Sequence, residues 1–211
     1  MIDWTDGRVR IGHARFVAEL DPAGLSGSLY RAPGRASGLE VALRAALCSR
    51  LPLDGGLPLH AAGLVVDGRG VVFFGPSGAG KSTLAGVSPH PVLSDELVAV
   101  VPGRPFSLTA TGFWGTLDGG RSHPGSWPLA ALVELGKGRP EPRFERLGTR
   151  EALVRLVGVL MVPPGPPLWE AALATLGRLV RDTPVERLAW SPVRPPWPEI
   201  RARLSGMTPS V

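Results

Sequence analysis

The stretch Val71-Val72-Phe73-Phe74-Gly75-Pro76-Ser77-Gly78-Ala79-Gly80-Lys81-Ser82-Thr83 decides how this chain is read. Four apolar residues are followed without a break by the full G-x-x-x-x-G-K-[ST] pattern, from Gly75 to Thr83. Small residues at Gly75, Pro76, Ser77, Gly78, Ala79 and Gly80 let a backbone curl around a phosphate chain with its N–H groups turned inward. Lys81 adds positive charge beside the terminal phosphates, and the Ser82 hydroxyl can ligate Mg²⁺. The run before the loop is strand-like, and Ser82-Thr83-Leu84-Ala85 after it is compatible with a helix. A chance glycine-rich turn would need neither flank.

Upstream, Leu57 to Asp67 reads as a strand, Asp67-Gly68-Arg69-Gly70 as a turn, and Val71 to Phe74 as the returning strand. A four-residue connection is too short for a crossover helix, so the two strands must be antiparallel. An ordinary phosphate-loop protein feeds one isolated strand into a parallel sheet. The fold class expected here is therefore α/β, a P-loop domain with a mixed sheet.

Further along, Val92-Leu93-Ser94-Asp95-Glu96 and Leu97 to Val101 form a second apolar pair with acids at its centre. Asp95, near a strand end, suits a carboxylate that holds Mg²⁺ directly or through water. A turn after Asp95 would let Glu96 reach the same place, so Asp95 is expected as the essential metal-linked acid and candidate base, with Glu96 sharing or tuning that role; a solvent-facing bend is the plainer alternative. Thr111 to Trp127 is a long glycine-rich segment with interspersed aromatics, a length that is usually functional or mobile. Leu129 to Leu135 reads as a core strand, Arg143 to Leu147 as a short one, and Val185 to Trp190 as the last. Helices are expected from Ser37 through a stripe of Leu39, Leu43, Ala46, Leu47 and Leu51, from a Thr149 cap to about Val162, from Leu168 to Val180, and from Glu199 to Leu204. Residues 1–36 read as short strands packed on or extending the main domain, and 37–211 as that P-loop domain.

Composition narrows the partners. The 211 residues carry a net charge of +5, yet no run of consecutive basic side chains marks a nucleic-acid surface. Cys48 is the sole cysteine, which excludes an internal disulfide and a cysteine-rich zinc cluster. No basic stretch with a following apolar run opens the chain, and no run of about eighteen apolar residues could span a membrane, so a cytoplasmic protein is expected.

Leu59-His60-Ala61-Ala62-Gly63-Leu64-Val65-Val66, then Gly75 to Thr83, then Leu93-Ser94-Asp95-Glu96 together resemble the catalytic domain of the bacterial HPr kinase/phosphorylase family, and more closely its smaller HPr-kinase-related members. The resemblance covers roughly Leu57 to Trp190 and implies a fold similar to the nucleotide-binding part of phosphoenolpyruvate carboxykinases. It implies ATP and Mg²⁺ as cofactors, His60 at the edge of the active site, and Asp95, Glu96, His60 and Lys81 as the catalytic set, with Ser82 and Asp95 toward the metal. Where the bifunctional enzymes have two adjacent aspartates, this chain has Asp95 and Glu96, and their glycine- and asparagine-containing segment is not recognisable. Kinase activity carries over; phosphorylase activity and HPr as substrate do not.

The expected function is transfer of phosphate to a hydroxyl, serine above all, of a peptide or small protein such as a tailored natural-product precursor. Nucleic acid and membrane are not expected as partners, and a homo-oligomer is left open. A small-molecule kinase and a non-catalytic nucleotide-binding module are the competing readings. Arg121, His123 and Lys137 are candidates for substrate-side charge, with an ordinary solvated role as the alternative.

Overall fold

The computed structural model describes residues 1–14, 16–31, 38–117, 123–138 and 141–206. Two compact units emerge, one from Met1–Pro58 with Met161–Thr175, the other from Leu59–Leu160 with Leu176–Val211.

In the first unit, β1 (Ile2–Thr5), β2 (Arg8–His13), β3 (Phe16–Asp21) and β4 (Ser26–Arg31) form an antiparallel meander in sequence order. Alternation determines its faces: Val9, Ile11, Phe16, Ala18 and Leu20 are buried, while Arg8 and Arg10 reach across the opposite face to Glu19. Helix α1 (Leu39–Leu53) follows. Its N-cap is Gly38, in the left-handed region with no side-chain cap bond, and the expected cap Ser37 lies outside the described residues. The expected apolar stripe is only partly the buried one. Ala42, Cys48 and Leu51 are buried, whereas Leu39 and Leu43 are exposed. Pro52, read as a terminator, sits inside the last turn, and the helix ends at Leu53.

The second unit holds the mixed sheet. Its strands are β5 (Leu57–His60, through its Leu59–His60 end), β6 (Ala62–Val66), β7 (Arg69–Phe74), β8 (Val92–Ser94), β9 (Leu97–Val101), β10 (Ser107–Ala110), β11 (Ser126–Lys137), β12 (Arg143–Arg146) and β13 (Val185–Trp190). The order is β5-β9-β10-β11-β7-β6-β8, with β13 also on β11 and β12 on β13. The hairpin is as its short turn requires: β6 and β7 are antiparallel, Leu64 facing Val71 and Ala62 facing Phe73. The expected single strand from Leu57 to Asp67 is broken at Ala61, whose N–H turns to the Glu96 carbonyl at 3.2 Å. β7 and β13 run parallel to β11, and β10 runs antiparallel to it, so the sheet is mixed, and β7 itself has a parallel neighbour in β11 and an antiparallel one in β6.

Burial on both faces explains the unbroken apolar runs of β6 and β7. One face carries Phe73, Ala131, Val133, Leu135 and Leu188 into a core with Leu84 and Ala85 of α2 (Lys81–Gly86) and Trp197, Ile200 and Leu204 of α5 (Trp197–Ser205). Strand alternation sends Phe74 and Glu134 to the other face, where α3 (Thr149–Val157) lies. Gly148 is the N-cap of α3 and Thr149 its first helical residue; the helix stops at Gly158, short of the expected Val162. Helix α4 (Pro166–Asp182) begins within the proline cluster, since proline fits a first turn that needs no N–H donor.

Candidate functional site

The loop from Gly75 to Gly80 leaves β7 at the carboxyl end of the sheet and runs into α2. Two glycines make its path sterically necessary. Gly75 has φ +148°, and a Cβ there would meet the Ala79 Cβ at 3.0 Å and the Leu135 carbonyl oxygen at 3.1 Å. Gly80 has φ +97°, with the Trp190 ring 3.1 Å from where a Cβ would stand. Pro76, Ser77 and Gly78 are exposed, and the Ala79 N–H donates to the Pro76 carbonyl at 3.1 Å to close the turn.

Lys81 is only 7% exposed and folds back along this loop. Its Nζ donates to the carbonyl oxygens of Gly75 at 3.0 Å and Pro76 at 3.5 Å. Burial lowers its pKa from the ordinary lysine value, and the Glu96 charge works against that shift. The ammonium thus marks one end of the cradle, the end that begins at Gly75.

Asp95 and Glu96 occupy the turn between β8 and β9, and Ser94 shapes it. The Ser94 hydroxyl donates to the Phe113 carbonyl at 2.6 Å and accepts the N–H groups of Glu96 and Leu97, both at 3.0 Å. The two acids then part company. Asp95 is 1% exposed and is wrapped by the segment after Phe113. Its Oδ1 accepts the Gly115 N–H at 2.8 Å; its Oδ2 accepts the Thr116 N–H and hydroxyl, both at 3.0 Å, and the Leu117 N–H at 3.3 Å. The Ser82 side chain is a further partner. Burial pushes the Asp95 carboxyl upward, but these hydrogen bonds to its charged form outweigh it, and the pKa falls below the ordinary aspartate value.

Glu96 is half-buried and directs its Oε2 toward the His60 Nδ1, 3.7 Å away. The His60 backbone N–H donates to the Val159 carbonyl at 2.8 Å, which fixes the end of β5 beside the segment following α3. The structure therefore brings Lys81, Ser82, Asp95, Glu96 and His60 together around the loop. Thr83 is exposed on the first turn of α2. Of the other three candidates, His123 is exposed, Lys137 ends β11 opposite Trp190 of β13, and Arg121 lies outside the described residues.

Sequence reasoning did not find the wall of this site that α3 supplies. Glu134 stands on β11 in register with Phe74, one residue before the loop, and is 5% exposed. Arg187, its register partner on β13, donates to it at 2.9 Å, and Arg155 of α3 lies 3.6 Å from it. Both arginines also reach Glu151, Arg187 at 2.9 Å and Arg155 at 3.3 Å. The four side chains close an ion-pair ring of alternating sign. Arg187 is raised above the ordinary arginine value, first by its hydrogen bond to Glu134. The glutamate-arginine spacing across a sheet is a pairing of residues 53 apart, which no local pattern signals.

A cavity of about 990 Å³ opens between this ring and the start of the loop, lined among others by His60, Phe74, Pro76, Val154 and Val159. A smaller one, about 330 Å³, lies at the helical end of the loop beside Gly80, Thr83, Trp190 and Pro192.

Among the described residues, no group of three or more histidine, cysteine, aspartate or glutamate side chains could hold a metal ion by itself. The Ser82 hydroxyl and Asp95 carboxylate are the donors beside the loop. That is the sparse set Mg²⁺ uses when substrate phosphates and water complete its shell, so these residues fit a magnesium–nucleotide rather than a resident metal.

The fold is α/β with a mixed sheet and several helices. No protein-family model matches the chain, and no curated protein does. Among solved structures it is similar to the HPr(Ser) kinase/phosphatase from Coxiella burnetii, at 18% identity over 58% of this chain and 90% of that chain, with a TM-score of 0.33. This is a weak and partial likeness. No helix among the described residues is long and apolar enough to cross a membrane.

Proposed function

We propose that the chain is an ATP- and Mg²⁺-dependent phosphotransferase of the HPr-kinase-like, P-loop type, acting on a hydroxyl of a peptide or small protein, serine above all. The observation that carries this reading is the convergence of Lys81, the Ser82–Asp95 pair and the Glu96–His60 pair on one glycine-built loop. Backbone N–H groups of the loop and Lys81 bind the phosphates. Bound Mg²⁺ would neutralise charge on the terminal phosphates. Asp95 is committed to five partners, so its task is to hold Ser82 and the 115–117 segment in place and to meet the metal through water.

The base is then Glu96. It is the carboxylate of the two that retains solvent access, and His60 beside it orients it. Glu96 takes the proton of the acceptor hydroxyl as the hydroxyl oxygen bonds to the terminal phosphorus of ATP and the bond to ADP breaks. The test is transfer from labelled ATP to a serine-containing peptide pool by Glu96→Gln. Turnover is expected to fall about 10²–10⁴-fold, with Mg-ATP affinity changed much less. A Glu96→Gln protein as active as the unaltered one removes Glu96 as the base.

A further inference from the structure

The two ends of the phosphate loop open into different spaces. Lysine of this motif reaches the terminal phosphates. Lys81 Nζ lies at the Gly75 and Pro76 carbonyls, so the terminal phosphate belongs at the start of the loop and the nucleoside toward Thr83. The cavity of about 990 Å³ begins at that terminal end, with Gly75, Pro76 and Ser77 in its wall and His60, the partner of Glu96, at its edge. From this we infer that the cavity between the loop and α3 is the acceptor site, and that it takes a peptide segment whose serine is flanked by apolar, uncharged residues. The inference rests on the phosphotransferase reading and deepens it.

Size and charge select that class. Its volume is at the top of the range for small-molecule sites, far more than a serine-sized acceptor fills. Most of the charge in its wall is already spent: Glu134, Glu151 and Arg155 of the lining, with Arg187 beside them, form a closed ring with no net charge. Inside the cavity, a carboxylate or phosphate on the acceptor would have to break that ring to gain a partner, the remaining cation being Arg150. What remains toward the cavity is Phe74, Pro76, Val159 and the 66% exposed Val154, a surface that gains from covering by apolar side chains. Arg150 stands exposed at the rim and has no ion pair among the described residues.

The experiment compares three pools of short peptides with one central serine, flanked by Leu/Val/Ala, by Asp/Glu or by Lys/Arg, together with free serine and glycerol. Labelled ATP is the donor, and Val154→Arg and Val154→Leu are the variants. Val154 is exposed enough for either side chain to be accommodated in the folded protein, which the melting curve checks. The apolar-flanked pool should be the best acceptor. Val154→Arg should raise its KM at least about tenfold, an anchor's worth of binding, while Val154→Leu keeps it near the starting value. Mg-ATP affinity of Val154→Arg, by calorimetry, should stay within about twofold, since that residue belongs to α3 and not to the loop.

An unchanged KM in Val154→Arg overturns the assignment, as does preference for the charged pools or for free serine and glycerol. A protein that binds Mg-ATP but transfers to none of the probes overturns it too. Those results leave the nucleotide site standing. Failure of the nucleotide-site assignment on which the reading rests would be seen separately, as Mg-ATP affinity that Lys81→Ala does not alter.

Discussion

Replacing Asp95 with asparagine should cost far more stability than replacing its neighbour Glu96 with glutamine. An asparagine has one acceptor oxygen where the aspartate has two. If that oxygen serves the Thr116 and Leu117 donors, the new amide group faces the Gly115 N–H at 2.8 Å, donor against donor, in a site 1% exposed. One charge-assisted bond is lost and buried donors are left without acceptors, together about 2–4 kcal/mol. For a chain of this length that is a fall in Tm of roughly 5–15 °C. Glu96, half-buried with a partner 3.7 Å away, should lose less than about 1 kcal/mol as glutamine.

The assay is urea unfolding followed by tryptophan emission, repeated across pH, with amide exchange at residues 115–117 as a local probe. The pH dependence has a definite sign. Asp95 titrates below its unfolded value of about 3.9, so its contribution is complete above that pH and is lost as pH falls through the lower folded value. The gap between the unaltered protein and Asp95→Asn should therefore be full near neutrality and shrink only in acid below about pH 4. Equal stability of Asp95→Asn and the unaltered protein at neutral pH, or a gap that widens in acid, would refute the claim that this carboxylate organises the segment around it.

Lys81→Ala should weaken Mg-ATP binding at least about tenfold by calorimetry and abolish measurable turnover, because it removes the ammonium held at the Gly75 and Pro76 carbonyls. Cys48, buried with its thiol pushed up to about 12 by desolvation, should resist a thiol reagent at pH 8 in the folded state and react promptly in denaturant; fast labelling of the native protein would contradict this. Glu134→Ala should destabilise by about 1–3 kcal/mol, since it takes a partner from the part-buried Arg187 and from Arg155. Adding Arg187→Ala to it should cost less than the sum of the two single changes, and strict additivity in a double-mutant cycle would deny the coupling.

What was legible in the sequence was what local geometry dictates. The turn, expected as the four residues Asp67–Gly70 and in fact the two residues Asp67–Gly68, admits only an antiparallel return, and the glycine-lysine-serine pattern with its apolar strand could be read without knowing any neighbour. The assembly around Asp95 was illegible for a physical reason. Its partners are backbone N–H groups of Gly115, Thr116 and Leu117, and backbone donors carry no side-chain signature. The sequence therefore suggested Asp95 as the essential acid with Glu96 sharing or tuning its role, while the fold makes Asp95 a buried hub and leaves Glu96 the more accessible of the two. The break at Ala61 and the exposed Leu39 and Leu43 escaped for a similar reason, since each depends on what a distant element covers. Thr149 looked like a cap by residue type, but the extended conformation that a cap needs falls at Gly148.

The ring of Glu134, Arg187, Glu151 and Arg155 has a consequence for how this protein can diverge. Its charges alternate around a closed circuit, and one of them is almost fully buried. Any single neutral or reversed charge leaves an odd member behind, so every path out of the present arrangement passes through an intermediate less stable than either end. Strand β11 and helix α3 are thereby tied into one heritable unit, although Glu134 and Arg187 are separated by fifty-three positions in the chain. Lineages that alter this wall of the cavity should change members of the circuit in pairs, and a lone substitution should be rescued most readily at one of the other three positions.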